Sequence, residues 1–184
     1  AALNVSHKAN GVSAIHTQLS KQNWPDYTWV NITNGVHRPT WQLPAIIEAQ
    51  SDPALLWQQH QAAKYSLRDF ILQETGFSYD PTRLVISWAR RIAGYKQLHL
   101  LFEDLERLQR ILTKVNQPIQ LLVSGKAHFG DTHAKGLLQE VIAAFSTTLA
   151  GHALFIPNYN LRIAQHLTQG SDVWINTPVR GNEA

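Results

Sequence analysis

Apolar residues recur along the chain in two patterns, one typical of strands and one typical of helices. Four short, nearly continuous apolar runs favour strands buried in a parallel sheet. They are residues 84–88, 119–125, 153–157 and 172–178. Three intervening segments carry an apolar residue every three or four positions, as amphipathic helices do. They are residues 98–112, 134–149 and 161–168. The resulting β-α-β-α-β-α-β order predicts an α/β fold, a parallel sheet with helices on its faces.

The first half of the chain is less regular. Residues 5–22 carry apolar residues at helical spacing, with a turn signal at Asn10-Gly11. An aromatic, polar region follows, in which residues 28–32 form a short strand. Two helices are then predicted at residues 45–50 and 54–75, and Gly76 is expected to cap the second.

The composition excludes several classes of protein. With 44% apolar and 16% charged residues, the chain can form a core. The net charge of +3 is mildly basic, which favours a local anion site over nucleic-acid binding. There is no cysteine, and no apolar run approaches the length of a membrane span. No signal peptide is apparent at the N-terminus. Because the chain lacks an initiator methionine and ends at RGNEA without a stop signal for a fold, we expect a fragment of a longer protein.

Positive charge is concentrated near the end of the strand at residues 84–88. Arg90, Arg91 and Lys96 fall within seven residues, together with Tyr95. Parallel sheets bind ligands beyond the carboxyl ends of their strands, and arginine and lysine together suit a phosphate. The alternative is a basic loop that is merely solvated. The nine histidines show no metal-binding spacing, so no metal site is predicted.

Six segments, taken together and in order, resemble the α-glucan phosphorylases, the family of the glycogen, starch and maltodextrin phosphorylases. They read HKANGVSAIH, ITNGVHRPTW, ARRIAGYK, SGKAHFG, NYN and NEA, and they span essentially the whole chain. The sequences of the ARRIAGYK and DVWINTP segments are most similar to those of the short bacterial branch of this family. The resemblance implies a cytoplasmic, retaining glycosyltransferase of the GT-B fold, in which two Rossmann-like domains enclose a cleft and pyridoxal phosphate is the cofactor.

By this resemblance, inorganic phosphate cleaves the terminal α-1,4 link of a glucan and releases glucose 1-phosphate. Residues 1–34 would end the N-terminal domain, and residues 35–184 would form the first half of the C-terminal, cofactor-binding domain. The cofactor of the family works through its phosphate and is held by a lysine that would follow Ala184. We therefore expect the 184-residue piece to be inactive alone.

The resemblance also assigns the phosphate and cofactor contacts. Arg91 and Lys96 would hold the substrate phosphate as catalytic residues. Arg90 stands where many relatives have a lysine that touches the cofactor phosphate, so the charge is kept but the geometry is not. Three further residues would contact the cofactor, the last at a position where animal forms have an arginine. They are Trp41, Tyr159 and Asn160.

The sugar contacts follow in the same way. Tyr95 would bond the glucose 2-hydroxyl and share in catalysis. His7 and Asn34 would bond the 6-hydroxyl, and Glu183 the hydroxyls near positions 2 and 3. The implied partners are an α-1,4-glucan and phosphate, with no nucleic acid and no membrane, and relatives are commonly homodimers.

Two other functions fit the same residues. A nucleotide-sugar glycosyltransferase of the GT-B fold, such as a glycogen synthase, also places arginine and lysine after a strand. A non-catalytic protein that binds glucan or phosphate could keep the cations and lose the cofactor lysine.

Overall fold

The computed structural model describes residues 2–114 and 116–183. The chain forms two compact units, one of Ala1–His37 with Pro178–Ala184 and one of Arg38–Thr177. Ala184, the last residue of the NEA segment, lies outside the described residues. The assignment of residues 1–34 and 35–184 to the two domains of a larger enzyme stays a prediction.

The smaller unit is built on a two-stranded parallel ribbon. A 3-10 helix spans Ala2–Val5, and strand β1 (Ala9–Gly11) pairs with strand β2 (Trp29–Asn31). Helix α1 (Ala14–Asn23) joins them and begins at Ser13, whose hydroxyl accepts a hydrogen bond from the His16 N–H. The helical spacing over residues 5–22 therefore corresponds to an α-helix only from Ala14, and Asn10-Gly11, where a turn was predicted, lie in β1. There the long-range pairing with β2 overrides the apolar spacing.

The larger unit contains six helices and four strands among its described residues. The helices are α2 (Arg38–Trp41), α3 (Pro44–Glu48), α4 (Pro53–Thr75), α5 (Leu105–Leu112), α6 (Thr132–Ser146) and α7 (Leu161–Gly170). The strands are β3 (Leu84–Ile92), β4 (Ile119–Ala127), β5 (Ala153–Ile156) and β6 (Val173–Trp174). As predicted, α4 ends at Gly76, which adopts the left-handed conformation with φ of 75°.

The four strands form one parallel sheet in the order β5-β4-β3-β6. Its two faces are covered by different helices. On one face Leu67 of α4 and Leu167 of α7 are fully buried with Leu122 of β4. On the other face Leu112 of α5 and Val141 of α6 pack with neighbouring strand residues. The predicted α/β fold, a parallel sheet with helices on both faces as in a partial Rossmann-like GT-B domain, is confirmed.

Three predicted elements differ in extent. The strand expected at residues 84–88 continues to Ile92, and the strand expected at 172–178 pairs only at Val173–Trp174. The helix expected over 98–112 is divided into a 3-10 turn, Leu98–Leu101, and α5, and a further 3-10 turn, Gly94–Lys96, precedes them. The left-handed Gln97, with φ of 50°, separates the two turns, and Asp104 caps the start of α5. No helix in the described part of the chain is long and apolar enough to cross a bilayer.

Candidate functional site

The arginines of the ARRIAGYK segment lie inside strand β3, at its carboxyl end, and not in the loop after it. Side chains of consecutive strand residues point to opposite faces, so Arg90 and Arg91 diverge. Arg90 pairs in register with Gly125 of β4, and Arg91 with Lys126. A Cβ atom at Gly125 would lie 2.5 Å from the Arg90 carbonyl oxygen. The glycine is therefore what allows the two strands to meet this closely beside the arginines.

Lys96 returns to the same region through the 3-10 turn Gly94–Lys96. Its N–H donates to the Ala93 carbonyl over 2.9 Å, and its side chain is buried, with 5% of the residue exposed. Its Nζ lies 4.7 Å from the centre of the Tyr95 ring, a cation–π distance. Burial, reinforced by the charges of Arg90 and Arg91, lowers the pKa of Lys96 to about 8. Lys96 therefore lies close enough to both arginines for their charges to lower its pKa.

Thr177 fixes the backbone of this turn. Its hydroxyl donates to the Lys96 carbonyl over 2.8 Å and accepts from the indole N–H of the fully buried Trp88 over 3.0 Å. The turn is therefore tied to the core of the sheet by a side chain 81 residues away along the chain. Sequence reasoning missed Thr177, because no local signal marks a hydroxyl whose partners are so distant.

Tyr159 lies on the face of the sheet covered by α4 and α7, and its hydroxyl donates to the Ala89 carbonyl over 3.4 Å. Burial raises the pKa of Tyr159, and the charge of Arg90 opposes this rise. Burial likewise lowers the pKa of Arg90, against the effect of Tyr159 and Tyr95. Tyr159 and Tyr95 therefore both lie close enough to Arg90 to affect its pKa.

Asn160 and Trp41 are placed by helix α7. The Asn160 carboxamide oxygen accepts from the Ile163 N–H over 3.0 Å and so caps the helix. Trp41 ends α2, and the preceding Thr40 carbonyl accepts from the Gln165 side chain of α7 over 2.9 Å. Both predicted cofactor residues are thus attached to the same helix.

The remaining predicted residues belong to the smaller unit. His7 lies in a bend before β1. Asn34 lies beyond the carboxyl end of β2, where its N–H donates to the Val12 carbonyl over 3.1 Å. Glu183 lies in the C-terminal segment, near Gly181, at which a Cβ would collide with Leu19 of α1. The smaller unit therefore holds three of the residues predicted to contact the sugar, and the larger unit holds Tyr95 and the residues predicted to contact phosphate and cofactor.

Lys126 is a further cation, and it is not among the predicted site residues. It is exposed and stands beside Arg91 in the register of β3 and β4. The signal for it was available in the GKAHFGD segment, because residues that end neighbouring parallel strands meet at one edge of the sheet. Arg90, Arg91, Lys96 and Lys126 thus form a cationic edge suited to phosphate groups. Among the described residues, no three His, Asp or Glu side chains are grouped for a metal ion.

The fold and this cationic edge define an α/β protein with a cluster of cations at the carboxyl ends of its parallel strands. No family model matches the chain. It is 32% identical to the glycogen phosphorylase of Mycobacterium tuberculosis, over 99% of the chain and 26% of that relative. It is 28% identical to the glycogen phosphorylase of Aquifex aeolicus and to the maltodextrin phosphorylase of Thermococcus litoralis, over 99% of the chain and 33% and 27% of those relatives.

The resemblance to the α-glucan phosphorylases is therefore confirmed, and it extends over essentially the whole chain. The chain itself spans about a quarter to a third of the length of these curated relatives. The chain is therefore similar to one segment of these phosphorylases.

Proposed function

We propose that this chain is part of a retaining α-1,4-glucan phosphorylase, in which inorganic phosphate cleaves the terminal glucose and yields glucose 1-phosphate. The observation that carries the proposal is the cationic edge, in which the buried Lys96 adjoins Arg90 and Arg91. Similarity to glycogen and maltodextrin phosphorylases over 99% of the chain supports the same reading.

In this proposal Arg91 and Lys96 hold the substrate phosphate. The glycosidic bond at C1 of the terminal glucose breaks, a bond from C1 to a phosphate oxygen forms, and the proton of the hydrogen phosphate moves to the leaving glucan oxygen. The fixed cations stabilise the negative charge that stays on the phosphate as the sugar becomes oxocarbenium-like. Tyr95, beside Lys96, would donate to the glucose 2-hydroxyl.

The residues at this edge also fit pyridoxal phosphate. Arg90 suits its phosphate, and Tyr159, Trp41 and the NH₂ group of Asn160 would line the rest. When bound, the cofactor supplies a second phosphate group that exchanges protons with the first. Two phosphates in a low-dielectric site repel each other strongly, which gives the clustering of cations a physical reason.

His7, Asn34 and Glu183 would provide the sugar contacts from the smaller unit. We also propose an α-1,4-glucan and phosphate as partners, a cytoplasmic location and a homodimeric parent enzyme.

An assay of the full-length protein tests the function. Maltodextrin and pyridoxal phosphate are supplied with and without inorganic phosphate, and glucose 1-phosphate is measured. Product that depends on phosphate is the expected result. Transfer of glucose from a nucleotide sugar without any phosphorolysis would favour a glycogen-synthase-like enzyme instead. Binding of glucan by a folded, cofactor-loaded protein that performs neither reaction would indicate a binding protein.

The Lys96→Ala variant tests the site within the same assay. Loss of Lys96 is expected to lower turnover and weaken phosphate use while the fold stays intact. Unchanged kinetics would remove Lys96 from the phosphate site. The 184-residue chain alone is expected to release no glucose 1-phosphate.

A further inference from the structure

A groove with a cationic rim lies at the opposite end of the sheet, where strands β3 and β4 begin. It encloses about 840 Å³ between the start of these strands and helix α5. Leu84, at the first position of β3, lines it, whereas Arg90 lies six residues further along the same strand. At about 3.3 Å per strand residue, the groove is about 20 Å from the cationic edge described above. It is a separate site.

The groove has an apolar floor. Leu84 and Ile111 line it and are 44% and 47% exposed, so both present apolar surface to the groove. Pro118 and Ile119 extend this floor at the entry to β4. Cavities of several hundred Å³ with mainly apolar walls are the common form of small-molecule sites.

The rim of the groove is positively charged. Arg107 and Arg110 of α5, Lys114 just after it and Arg83 before β3 all line the cavity. Arg110 lies 3.9 Å from Glu106, but both side chains are largely exposed, so this pair neutralises little of the charge. Arg107 and Lys114 form no ion pair with any described residue.

Helix stability does not account for this arrangement. Cations stabilise the last turn of a helix through the helix dipole, which would explain Arg110 and Lys114. Arg107 lies in the first turn of α5, where the dipole disfavours a cation. Arg107 therefore carries a cost within the helix while it adds charge to the groove.

We propose that this groove binds a small organic anion, a phosphate or carboxylate carried on an apolar body. The anionic group would lie between Arg107, Arg110 and Lys114, because the guanidinium forks of the arginines and the ammonium of the lysine suit such groups. The apolar body would cover Leu84 and Ile111. The size of the cavity favours a drug-sized ligand over a folded partner. This proposal is independent of the phosphorylase function.

The test is calorimetric titration of the full-length protein with 1-naphthyl phosphate. Inorganic phosphate and 1-naphthol serve as matched probes that lack one half of the chemistry. We expect saturable binding of 1-naphthyl phosphate, at least tenfold tighter than that of either matched probe. The affinity should fall at least tenfold in the Arg107→Ala/Lys114→Ala double variant, and further on raising the salt concentration.

The Arg91→Ala variant at the other edge is the control, and it should change this affinity less than twofold. The single variant Arg110→Gln, on an exposed side chain, gives a second measurement if the double variant is poorly folded. Binding that is lost in Arg91→Ala and kept in the rim variants would overturn the proposal. In the Arg91→Ala protein, whose proposed phosphate site is impaired, equal affinity for inorganic phosphate, no saturable binding of 1-naphthyl phosphate, or tighter binding of an acidic peptide would also overturn it.

Discussion

At the scale of single residues, Lys96 shows that the candidate site lowers the stability of the fold. Its pKa of about 8 lies below the value of roughly 10.4 expected in the unfolded chain. Protonation is therefore less favourable in the folded state. The resulting destabilisation is fully present below about pH 8 and disappears as the pH rises toward 10.5. An anion bound beside Lys96 would remove this cost at neutral pH.

Lys96→Met should stabilise the anion-free protein at pH 7, by up to about 3 kcal/mol, because it removes the buried charge. The same variant should lose the stabilisation that phosphate gives to the wild type. Urea unfolding with and without phosphate measures both effects. Lys126→Met, at an exposed lysine of the same edge, is the control and should leave the stability nearly unchanged. A destabilised Lys96→Met protein that still responds to phosphate would contradict this account.

Asp172 differs from Lys96 because its lowered pKa stabilises the folded state. It lies at the end of the sheet where β3 begins. Burial favours a raised pKa, but hydrogen bonds from Lys64, the Val85 N–H and His60 outweigh it and hold the pKa of Asp172 below its usual value. All three donors lie 2.7 Å from the carboxylate, and Lys64 is only 3% exposed. This group therefore ties α4 to the start of β3 and to the segment that enters β6.

Asp172→Asn should destabilise the protein by roughly 3–5 kcal/mol, because it leaves the Lys64 charge buried without its counterion. In the wild type, this stabilisation is present above about pH 4 and is lost as the pH falls through the lowered pKa of Asp172. Urea unfolding between pH 2 and 7 measures the effect, and its pH dependence should weaken in the variant. The double variant Lys64→Met/Asp172→Leu should recover much of the loss. A single variant as stable as the wild type would show that the ion pair contributes little.

At the scale of elements, Gly125 decides how closely β3 and β4 approach at the cationic edge. A Cβ there would lie 2.5 Å from the Arg90 carbonyl oxygen and 2.8 Å from Cγ1 of Ile92. Gly125→Ala should cost roughly 1–3 kcal/mol and displace Arg90, because both neighbours belong to a paired strand. Unfolding free energy and phosphate affinity should fall together.

Gly136 provides the matched control for that change. It lies within α6, and a Cβ there would meet nothing within 4 Å. Gly136→Ala should therefore stabilise the protein by roughly 0.5–1 kcal/mol through helix propensity alone. If both alanine variants behaved alike, the close approach at Gly125 would be without consequence.

The elements also show what the sequence can predict. The strands from residue 84 onward follow from continuous apolar runs, since burial on both faces leaves a local signal. Strand β1 was missed because only its pairing with β2 holds it extended. The turn at Lys96 was missed because Gln97 adopts a left-handed conformation that glutamine rarely takes. The contacts of Thr177 depend on partners far along the chain, which a linear pattern does not contain. The position of Lys126 at the end of a strand could have been predicted, but its pairing beside Arg91 depends on the strand register.

At the scale of the whole molecule, the proposed roles are distributed between the two structural units. The cations that would hold phosphate lie in Arg38–Thr177, and the residues proposed to bond the sugar from the smaller unit, such as Asn34, lie outside that range. Substitutions of Asn34 and Arg91 should therefore affect different substrates, because each removes a contact to one of them.

Asn34→Ala should raise the KM for maltodextrin several-fold in the full-length enzyme and leave the KM for phosphate within about twofold. The loss of one sugar hydrogen bond, worth about 1 kcal/mol, sets this magnitude. Arg91→Ala should raise the KM for phosphate by tenfold or more and lower kcat, since a charge-assisted contact is lost near the reacting group. Steady-state kinetics with each substrate varied in turn separates the two effects. Equal changes in both KM values for both variants would show that the units do not divide the substrates in this way.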